Sequence, residues 1–369
     1  MRRVVAILAL ALASAALAGC STVGYYWQSL DGHVRLMAAA RPLDDWLQDP
    51  AASERLKERL RLAERIRDFA SRELLLPDNP SYRRYADLRR PAAVWNVVAA
   101  PPLSLTLRTW CFPVTGCVGY RGWFDEAQAR AEAEALRAQG LEVSVYPVPA
   151  YSTLGWSNWL GGDPLLNTFI RDTEGELARL IFHELAHQVV YARDDTAFNE
   201  SFATAVERLG VARWLAREGA EAAQAEHVQL QQRREQFRAL ARTTRTRLAA
   251  MYGEQVPHPD ADDTGRRLAR KQAIMAGFRA DYARLRASWG LDPARPIPLD
   301  RWVAEANNAS FGAQAAYDDL VPGFEALFAR EGGDWRRFYD AVTQLSRMPR
   351  PERHRILQDL SHARPSHPS

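Results

Sequence analysis

Residues 20–92 are predicted to be helical, because apolar side chains recur there every three or four positions. Leu56, Leu60, Ile66 and Phe69 are examples, and charged residues fill the positions between them. This spacing places the apolar side chains on one face of a helix and the charged ones on the opposite face. We therefore expect an N-terminal helical region that packs through one apolar face.

Residues 93–148 follow a different pattern, which predicts a small β/α region. Alternating apolar residues predict two strands within 93–108, separated by a Pro-Pro pair, and a third strand over 141–148. Between them, 124–138 has helical spacing. We expect a small sheet with one helix packed on it.

Residues 149–346 are predicted to be mainly helical. Thr173 and Glu176 have the spacing of a capping box, which predicts a helix from there to about Tyr191. A second helix is predicted from about Thr196 to Leu215.

Further along, two long amphipathic stretches predict a helical hairpin at about 220–290. Residues 299–345 predict two more helices, and the Pro-, His- and Ser-containing tail, 347–369, is expected to be disordered. We also expect the hairpin to cover the functional site and to restrict access to it. Together the patterns predict an α+β fold that is mainly α-helical, with a small β-sheet and a long helical hairpin.

Composition and charge exclude several classes of protein. The chain has 369 residues, of which 47% are hydrophobic, and a formal net charge of +3. These are the proportions of a globular protein, and the near balance of charge predicts no nucleic-acid partner. Three cysteines are too few for a disulfide scaffold or for a zinc ribbon.

The N-terminus has the features of a bacterial lipoprotein precursor. A basic start is followed by the apolar run Val4–Ala18, which is too short to span a bilayer as a helix. The run ends in Leu17-Ala18-Gly19-Cys20, which resembles a lipobox. The resemblance implies a signal peptide over 1–19, a lipid-modified Cys20 and a cell-envelope location, and Ser21 favours the outer membrane, facing the periplasm. A secreted, unlipidated protein is the alternative.

Cys111 and Cys117 are expected to form a disulfide. They enclose a turn-rich segment of five residues, and nearby cysteines pair in an oxidising periplasm. Closing so short a loop would stabilise the fold by about 2 kcal/mol. Two free buried thiols are the alternative.

His183, Glu184 and His187 form an HExxH sequence within the predicted helix from Thr173. Two histidines four residues apart lie on one helical face and can bind one metal ion, with the glutamate beside them. A catalytic zinc needs a third protein ligand and an open position. Glu200, near the start of the next predicted helix, is the candidate, and the three residues predict one Zn²⁺ per chain.

This pattern resembles the gluzincin metallopeptidases, whose third ligand is the glutamate of an NExxA-like segment after HExxH. Here that segment is Asn199-Glu200-Ser201-Phe202-Ala203. The chain is also similar to a predicted aminopeptidase family of bacterial lipoproteins. The resemblance is carried by the lipobox, the HELAH and NESFA segments, and residues 111–117, 151–156, 163–168 and 307–309.

The resemblance implies a zincin-like core and a zinc-dependent aminopeptidase that acts on peptides. Two features differ from better-known gluzincins. The spacing of 12 residues between the last histidine and Glu200 is shorter than theirs, and the GxMEN segment that binds the substrate amine is absent. The aminopeptidase specificity therefore depends on the family resemblance alone.

Roles can be assigned to residues around the expected zinc. Glu184 is the expected general base, which takes a proton from water and passes it to the leaving amine. Tyr317 is the favoured donor to the tetrahedral oxyanion, ahead of Tyr151 and Tyr191, and a half-buried tyrosine of a core helix is the alternative. Glu207, seven residues after Glu200 on the same helical face, is a candidate to orient a ligand imidazole.

Two classes of function fit these observations. The first is a zinc peptidase tethered to the envelope membrane by an acylated Cys20. The second is a non-catalytic envelope lipoprotein that serves a structural or partner-binding role. The presence of Glu184 favours the first, because a scaffold does not need a general base.

Overall fold

The computed structural model describes residues 23–112, 116–153, 158, 161–254 and 262–362, and the side chains of 315–318 are outside this description. The predicted signal peptide and Cys20 therefore lie outside the described residues. The helices are α1 (23–39), α2 (Leu43–Gln48), α3 (Glu54–Glu73), α4 (Glu126–Ala138), α5 (Glu174–Ala186), α6 (Thr196–Arg217), α7 (Glu221–Gly253), α8 (Asp263–Ser288), α9 (Pro298–Glu305), α10 (Asn308–Asp318), α11 (Val321–Arg330), α12 (Trp335–Ser346) and α13 (Arg350–His362).

The strands are short and form three small sheets in the described residues. They are β1 (Arg41–Pro42), β2 (Arg84–Ala86), β3 (Val94–Ala100), β4 (Trp110–Phe112), β5 (Gly116–Val118), β6 (Arg121–Trp123), β7 (Glu142–Val148) and β8 (Leu165–Leu166). The sheet orders are β1-β2-β8, β6-β3-β7 and β4-β5, and only β2 and β8 pair in parallel. The fold is thus mainly helical with small sheets, as the sequence predicts.

The β6-β3-β7 sheet carries one helix, as expected for 93–148. Strands β3 and β7 pair over their full length, from Val94 with Val148 to Ala100 with Glu142. Helix α4 packs on this sheet through three buried residues, Ala129, Ala133 and Leu136. The small alanine side chains allow the helix to lie close to the sheet.

The main apolar core surrounds α5 and α6. Their buried side chains pack against α3, α11 and α12, with aromatic contacts between Phe69 and Phe182 and between Phe202 and Phe324. Gly210 of α6 faces Phe182, and a Cβ there would lie only 2.9 Å from that ring. The two helices therefore approach closely and are held in a fixed relation.

Helices α7 and α8 form the predicted hairpin. Its two apolar faces meet through Phe237, Leu248, Met275 and Phe278, and Trp302 of α9 packs against the same cluster. Within the described residues, no helix is both long enough and apolar enough to cross a membrane.

Outside α5, three expectations differ from the structure. The predicted strand over 103–107 is not a strand; Leu105 instead packs on the hairpin cluster and Leu107 on a cluster with Ala309. The sequence predicts two helices over 299–345, but the structure has four, α9 to α12, because short turns divide the apolar pattern.

The tail is the third difference. The expectation of disorder over 347–369 is wrong for Arg350–His362, which forms α13. Leu357 of this helix is completely buried in the main core, and Arg353 bonds to the buried Asp195. Tertiary contacts therefore order a segment whose composition is typical of a disordered one.

Candidate metal centre

Helix α5 presents the HExxH residues from its C-terminal end. Leu177, Ile181 and Leu185 are completely buried in the core and hold the opposite face of the helix. The helix ends earlier than expected, at Ala186, but His187 keeps a helical backbone conformation. Both histidines therefore project on the same side, one turn apart.

The predicted capping box at the start of α5 does not form. The Thr173 side chain makes no capping hydrogen bond. The Glu176 carboxylate instead accepts hydrogen bonds from Arg179, at 3.0 Å, and from Arg234 of α7, at 2.6 and 2.5 Å. Two cations outcompete a backbone N–H for this carboxylate because charge-assisted hydrogen bonds are stronger.

The loop before α6 brings Glu200 to the two histidines. The Asp195 carboxylate caps α6 by accepting from the N–H of Phe198. The Asn199 side chain accepts from the N–H of Ala192 at 2.7 Å and donates to the Ala192 carbonyl at 2.8 Å. These bonds close the connection between α5 and α6 and fix the residue next to Glu200.

Contacts along α5 and α6 show that the helices run antiparallel. Glu174 meets Trp214, His183 meets Glu207, and His187 meets Glu200. The residue numbers of these partners increase along α5 and decrease along α6, which happens only when the two helices are antiparallel. Glu200 and Glu207 therefore face the HExxH histidines from the neighbouring helix.

Three side-chain atoms converge at this point. His183 Nε2 lies 3.2 Å from His187 Nε2 and 3.3 Å from Glu200 Oε2, and His187 Nε2 lies 3.7 Å from Glu200 Oε2. Ligands on zinc at 2.0–2.1 Å in tetrahedral geometry are separated by about 3.3 Å. The three atoms thus have the mutual spacing of metal ligands, and the donor set fits zinc.

Glu207 contacts the other nitrogen of His183. Its Oε2 lies 2.9 Å from His183 Nδ1 and 3.2 Å from Arg179 Nη1. A proton on Nδ1 that is donated to Glu207 leaves Nε2 with a free lone pair that points to the convergence point. Arg179, which no sequence pattern singled out, holds the Glu207 carboxylate in place.

Burial and neighbouring charges shift the pKa values of the two histidines in opposite directions. Burial lowers the pKa of His187 to about 4, so its imidazole is neutral at pH 7. Burial also acts to lower the pKa of His183, but hydrogen bonds to Glu200 and Glu207 outweigh it and raise the pKa to about 10. These carboxylates would stabilise a metal cation at this place as they stabilise a proton.

Glu184 lies beside the ligand atoms and lines the same cavity. Burial raises the pKa of its carboxyl to about 7, helped by the negative charge of Glu200 and opposed by His183 and by a hydrogen bond from Ser152. A carboxyl with a pKa near neutrality can both accept and release a proton at physiological pH.

The centre lies in a cavity of about 970 Å³. Its walls come from α1, the strands β3 to β7, and helices α5, α6, α7 and α10. Seven phenylalanine and tyrosine side chains line it: Tyr25, Tyr26, Phe112, Tyr120, Phe124, Tyr151 and Tyr191. Arg238 of α7 also lines the cavity, so the hairpin borders the site. That the hairpin covers the site and restricts access stays a prediction.

Two tyrosines that line the cavity lie near enough to Glu200 for its charge to affect their pKa values. Burial raises the pKa of Tyr120 and of Tyr191, and the negative charge of Glu200 raises both further. Tyr151 also lines the cavity; burial raises its pKa, and the carboxylate that raises it further is Asp163 rather than one of the centre. The side chain of Tyr317 lies outside the described residues; its backbone belongs to α10, three residues after the cavity-lining Gln314.

Cys111 and Cys117 are joined by a disulfide across the β4-β5 hairpin. The N–H of Cys117 donates to the Asp194 carboxylate at 2.7 Å. The β4-β5 hairpin is thereby attached to the loop between α5 and α6, close to the centre.

Comparison with known proteins adds one finding. A family model described as putative aminopeptidase matches residues 24–357, which is most of the chain. Neither the curated proteins nor the solved structures yield a match. The matched segment contains all the residues that converge in the cavity.

Proposed function

The chain belongs to the putative aminopeptidase family, and we propose that it is a zinc-dependent peptidase of the gluzincin type, anchored in the cell envelope by a lipid on Cys20. The observation that carries the proposal is the convergence of His183, His187 and Glu200 at ligand spacing within a cavity that several aromatic side chains line.

In this proposal His183 Nε2, His187 Nε2 and a Glu200 oxygen hold one zinc ion. Bound zinc polarises the scissile carbonyl and makes water a stronger acid. The neutral state of His187 leaves a nitrogen lone pair available for the metal. At His183 a metal would replace the proton on Nε2, while Nδ1 keeps its proton for Glu207. The cavity beside the three ligands leaves room for a peptide.

Glu184 acts as the general base and then as the general acid. Its buried carboxyl, with a pKa raised to about 7, takes a proton from the attacking water and returns it to the leaving amine. The Ser152 hydroxyl donates to this carboxylate and so orients it. Burial strengthens each of these contacts, because little water competes for them.

A phenol stabilises the oxyanion that develops on the scissile carbonyl. The sequence favours Tyr317, and the cavity adds Tyr120 and Tyr191, which both line it with Glu200. Their raised pKa values keep the phenols protonated, as a hydrogen-bond donor must be. Replacing each tyrosine by phenylalanine distinguishes them, because only the loss of the hydroxyl that donates to the oxyanion lowers kcat by about 100-fold.

Specificity for the N-terminal residue of a peptide is supported by the family alone. Among the described residues that line the cavity, the acidic ones are Glu184, Glu200 and Glu207. Each already has a role at the metal, so none is left to bind the ammonium group of the substrate. The aromatic walls favour substrates with apolar side chains.

The anchor and the location follow from the sequence. The lipobox before Cys20 supports lipid attachment, and Ser21 supports the periplasmic face of the outer membrane. The alternative, a non-catalytic lipoprotein, does not explain why a buried Glu184 accompanies the three ligands in a large cavity.

The variant Glu184→Gln tests the proposal. We expect it to bind one zinc ion but to hydrolyse aminoacyl and short peptide substrates at least about 100-fold more slowly, because the amide cannot accept the proton. Glu58→Gln, at an exposed position of α3, is the matched control. Hydrolysis by Glu184→Gln at the control rate would reject Glu184 as the general base.

A further inference from the structure

Helix α1 exposes a stripe of large apolar side chains along its outer side. Tyr25, Gln28, Gly32 and Leu36 form its buried face. On the opposite face the exposed fractions are 69% for Val23, 68% for Trp27, 56% for Leu30 and 54% for Val34. We call these four residues the α1 stripe; their spacing of four, three and four places them on one line.

The exposure of these side chains is concentrated, not scattered. Among the described residues, the large apolar side chains that are exposed include the α1 stripe, Tyr26 beside it, and elsewhere only Leu75 and Val228. Single exposed apolar residues are ordinary, but a contiguous set on one helix indicates an interaction surface. Something apolar is therefore expected to cover α1.

The charges beside the α1 stripe cancel. Asp31 and Arg35 are one turn apart and form an ion pair at 2.9 Å along its edge. This arrangement gives the surface no net charge to attract a polyanion or an oppositely charged protein. The residue types fit the boundary of a bilayer, where tryptophan and tyrosine are enriched.

We propose that α1 lies in the surface of the membrane, with the α1 stripe inserted at the boundary between lipid headgroups and acyl chains. The proposal rests on the lipid anchor at Cys20 in the proposed function. Cys20 precedes Val23 by three residues, a span of about 11 Å at most. Acyl chains on Cys20 would hold the start of α1 against the bilayer.

This orientation places the cavity beside the membrane. Tyr25, Tyr26 and Ser29 of α1 line the cavity that contains the metal centre, and Tyr26 is itself exposed. The wall of the cavity that these residues form would then lie next to the bilayer surface.

The experiment separates the stripe from the lipid anchor. The mature chain, residues 20–369 with Cys20→Ser, cannot be acylated, and its flotation with phosphatidylcholine–phosphatidylethanolamine vesicles reports binding by the protein surface alone. We expect measurable partitioning that Trp27→Ser/Leu30→Ser reduces on the order of tenfold. Anionic phosphatidylglycerol in the vesicles is expected to strengthen binding only a little, because the charges of Asp31 and Arg35 cancel.

A matched pair of valines supplies the control. Val34 and Val228 are exposed to similar extents, 54% and 52%, but Val228 lies on α7, away from the α1 stripe. Val34→Ser should weaken vesicle binding and Val228→Ser should not. Circular dichroism of each variant checks that the fold is retained.

Results of two kinds would overturn the proposal. One is no flotation of the Cys20→Ser chain, or equal flotation of the Val34→Ser and Val228→Ser variants. The other is a dimer in sedimentation equilibrium that Trp27→Ser/Leu30→Ser dissociates, which would assign the stripe to a second copy. Mass analysis of the natural chain for acyl groups on Cys20, and its peptidase assay, test the proposed function separately.

Discussion

Glu207 and Arg179 show how single residues of α6 and α5 orient His183, one of the proposed ligands. The Glu207 carboxylate lies 2.9 Å from His183 Nδ1, and Arg179 holds the same oxygen at 3.2 Å. Glu176 bonds Arg179 in turn, and Arg234 of α7 bonds Glu176. This chain of alternating charges fixes the orientation of His183 before any metal arrives.

Replacing Glu207 should therefore weaken the metal site without removing a ligand. We expect Glu207→Ala to raise the zinc dissociation constant about 10- to 100-fold, measured by competition with a chromophoric chelator. Glu207→Gln should retain part of the affinity, since its amide oxygen can still accept from Nδ1–H. Glu218→Gln, exposed just after α6, is the control, and equal affinities of Glu207→Ala and the control would contradict this role.

The residues of the centre differ in how visible they are in the sequence. His183, Glu184 and His187 are recognisable because one helical turn brings them together, and Glu200 because the loop before it is short. Tyr120 and Arg179 belong to no motif. Their place in the site depends on how distant elements pack, which a local pattern does not encode.

At the level of elements, a buried ion pair ties α13 to the start of α6. Asp195 is almost fully buried and accepts from Arg353 Nε at 2.7 Å, from His354 and from the N–H of Phe198. Burial acts to raise the pKa of Asp195, but bonds to His354 and Arg353 outweigh it, so the pKa is lowered. The C-terminal helix thus stabilises the turn that precedes Glu200.

Breaking this pair should destabilise the protein measurably. We expect Arg353→Met to lower the free energy of unfolding by about 3 kcal/mol in urea at pH 7, because it leaves a buried carboxylate less compensated. Arg355→Met, exposed on the same helix, should have almost no effect.

The same pair has a defined pH dependence. Because the folded pKa of Asp195 is lowered, its contribution is present above the unfolded value of about 3.9 and is lost as the pH falls further. The difference between Arg353→Met and the wild type should therefore shrink below about pH 4. An undiminished difference at that pH would contradict the assignment.

The length of an element determines how well the sequence predicts it. The hairpin α7–α8, α6, α4 and strand β7 have enough turns or alternations to be recognised, and all are present near their expected positions. Strands β1, β2 and β8 have two or three residues, too few for alternation to be visible. Helix α13 was missed because only a few apolar residues, such as Leu357, connect it to the core.

For the whole molecule, the cavity is where the separate parts of the chain meet. Helix α1, the β6-β3-β7 sheet, the α5–α6 pair and the hairpin each contribute a wall. A volume of about 970 Å³ is in the upper range of ligand sites and suits a short peptide better than a folded protein. Whether the α7–α8 hairpin restricts access can be tested by comparing the rates at which short and long peptides are hydrolysed.

The most direct test is the zinc content of the purified mature chain. The account predicts one zinc per chain, lost in His187→Ala but retained in His362→Ala, which replaces an exposed histidine of α13. It also predicts that removal of zinc lowers the melting temperature and that re-addition restores it, because a ligand bound only by the folded state stabilises that state. A wild-type chain that holds no zinc and takes up none on reconstitution would contradict the central claim, as would a His187→Ala variant that binds zinc like the wild type.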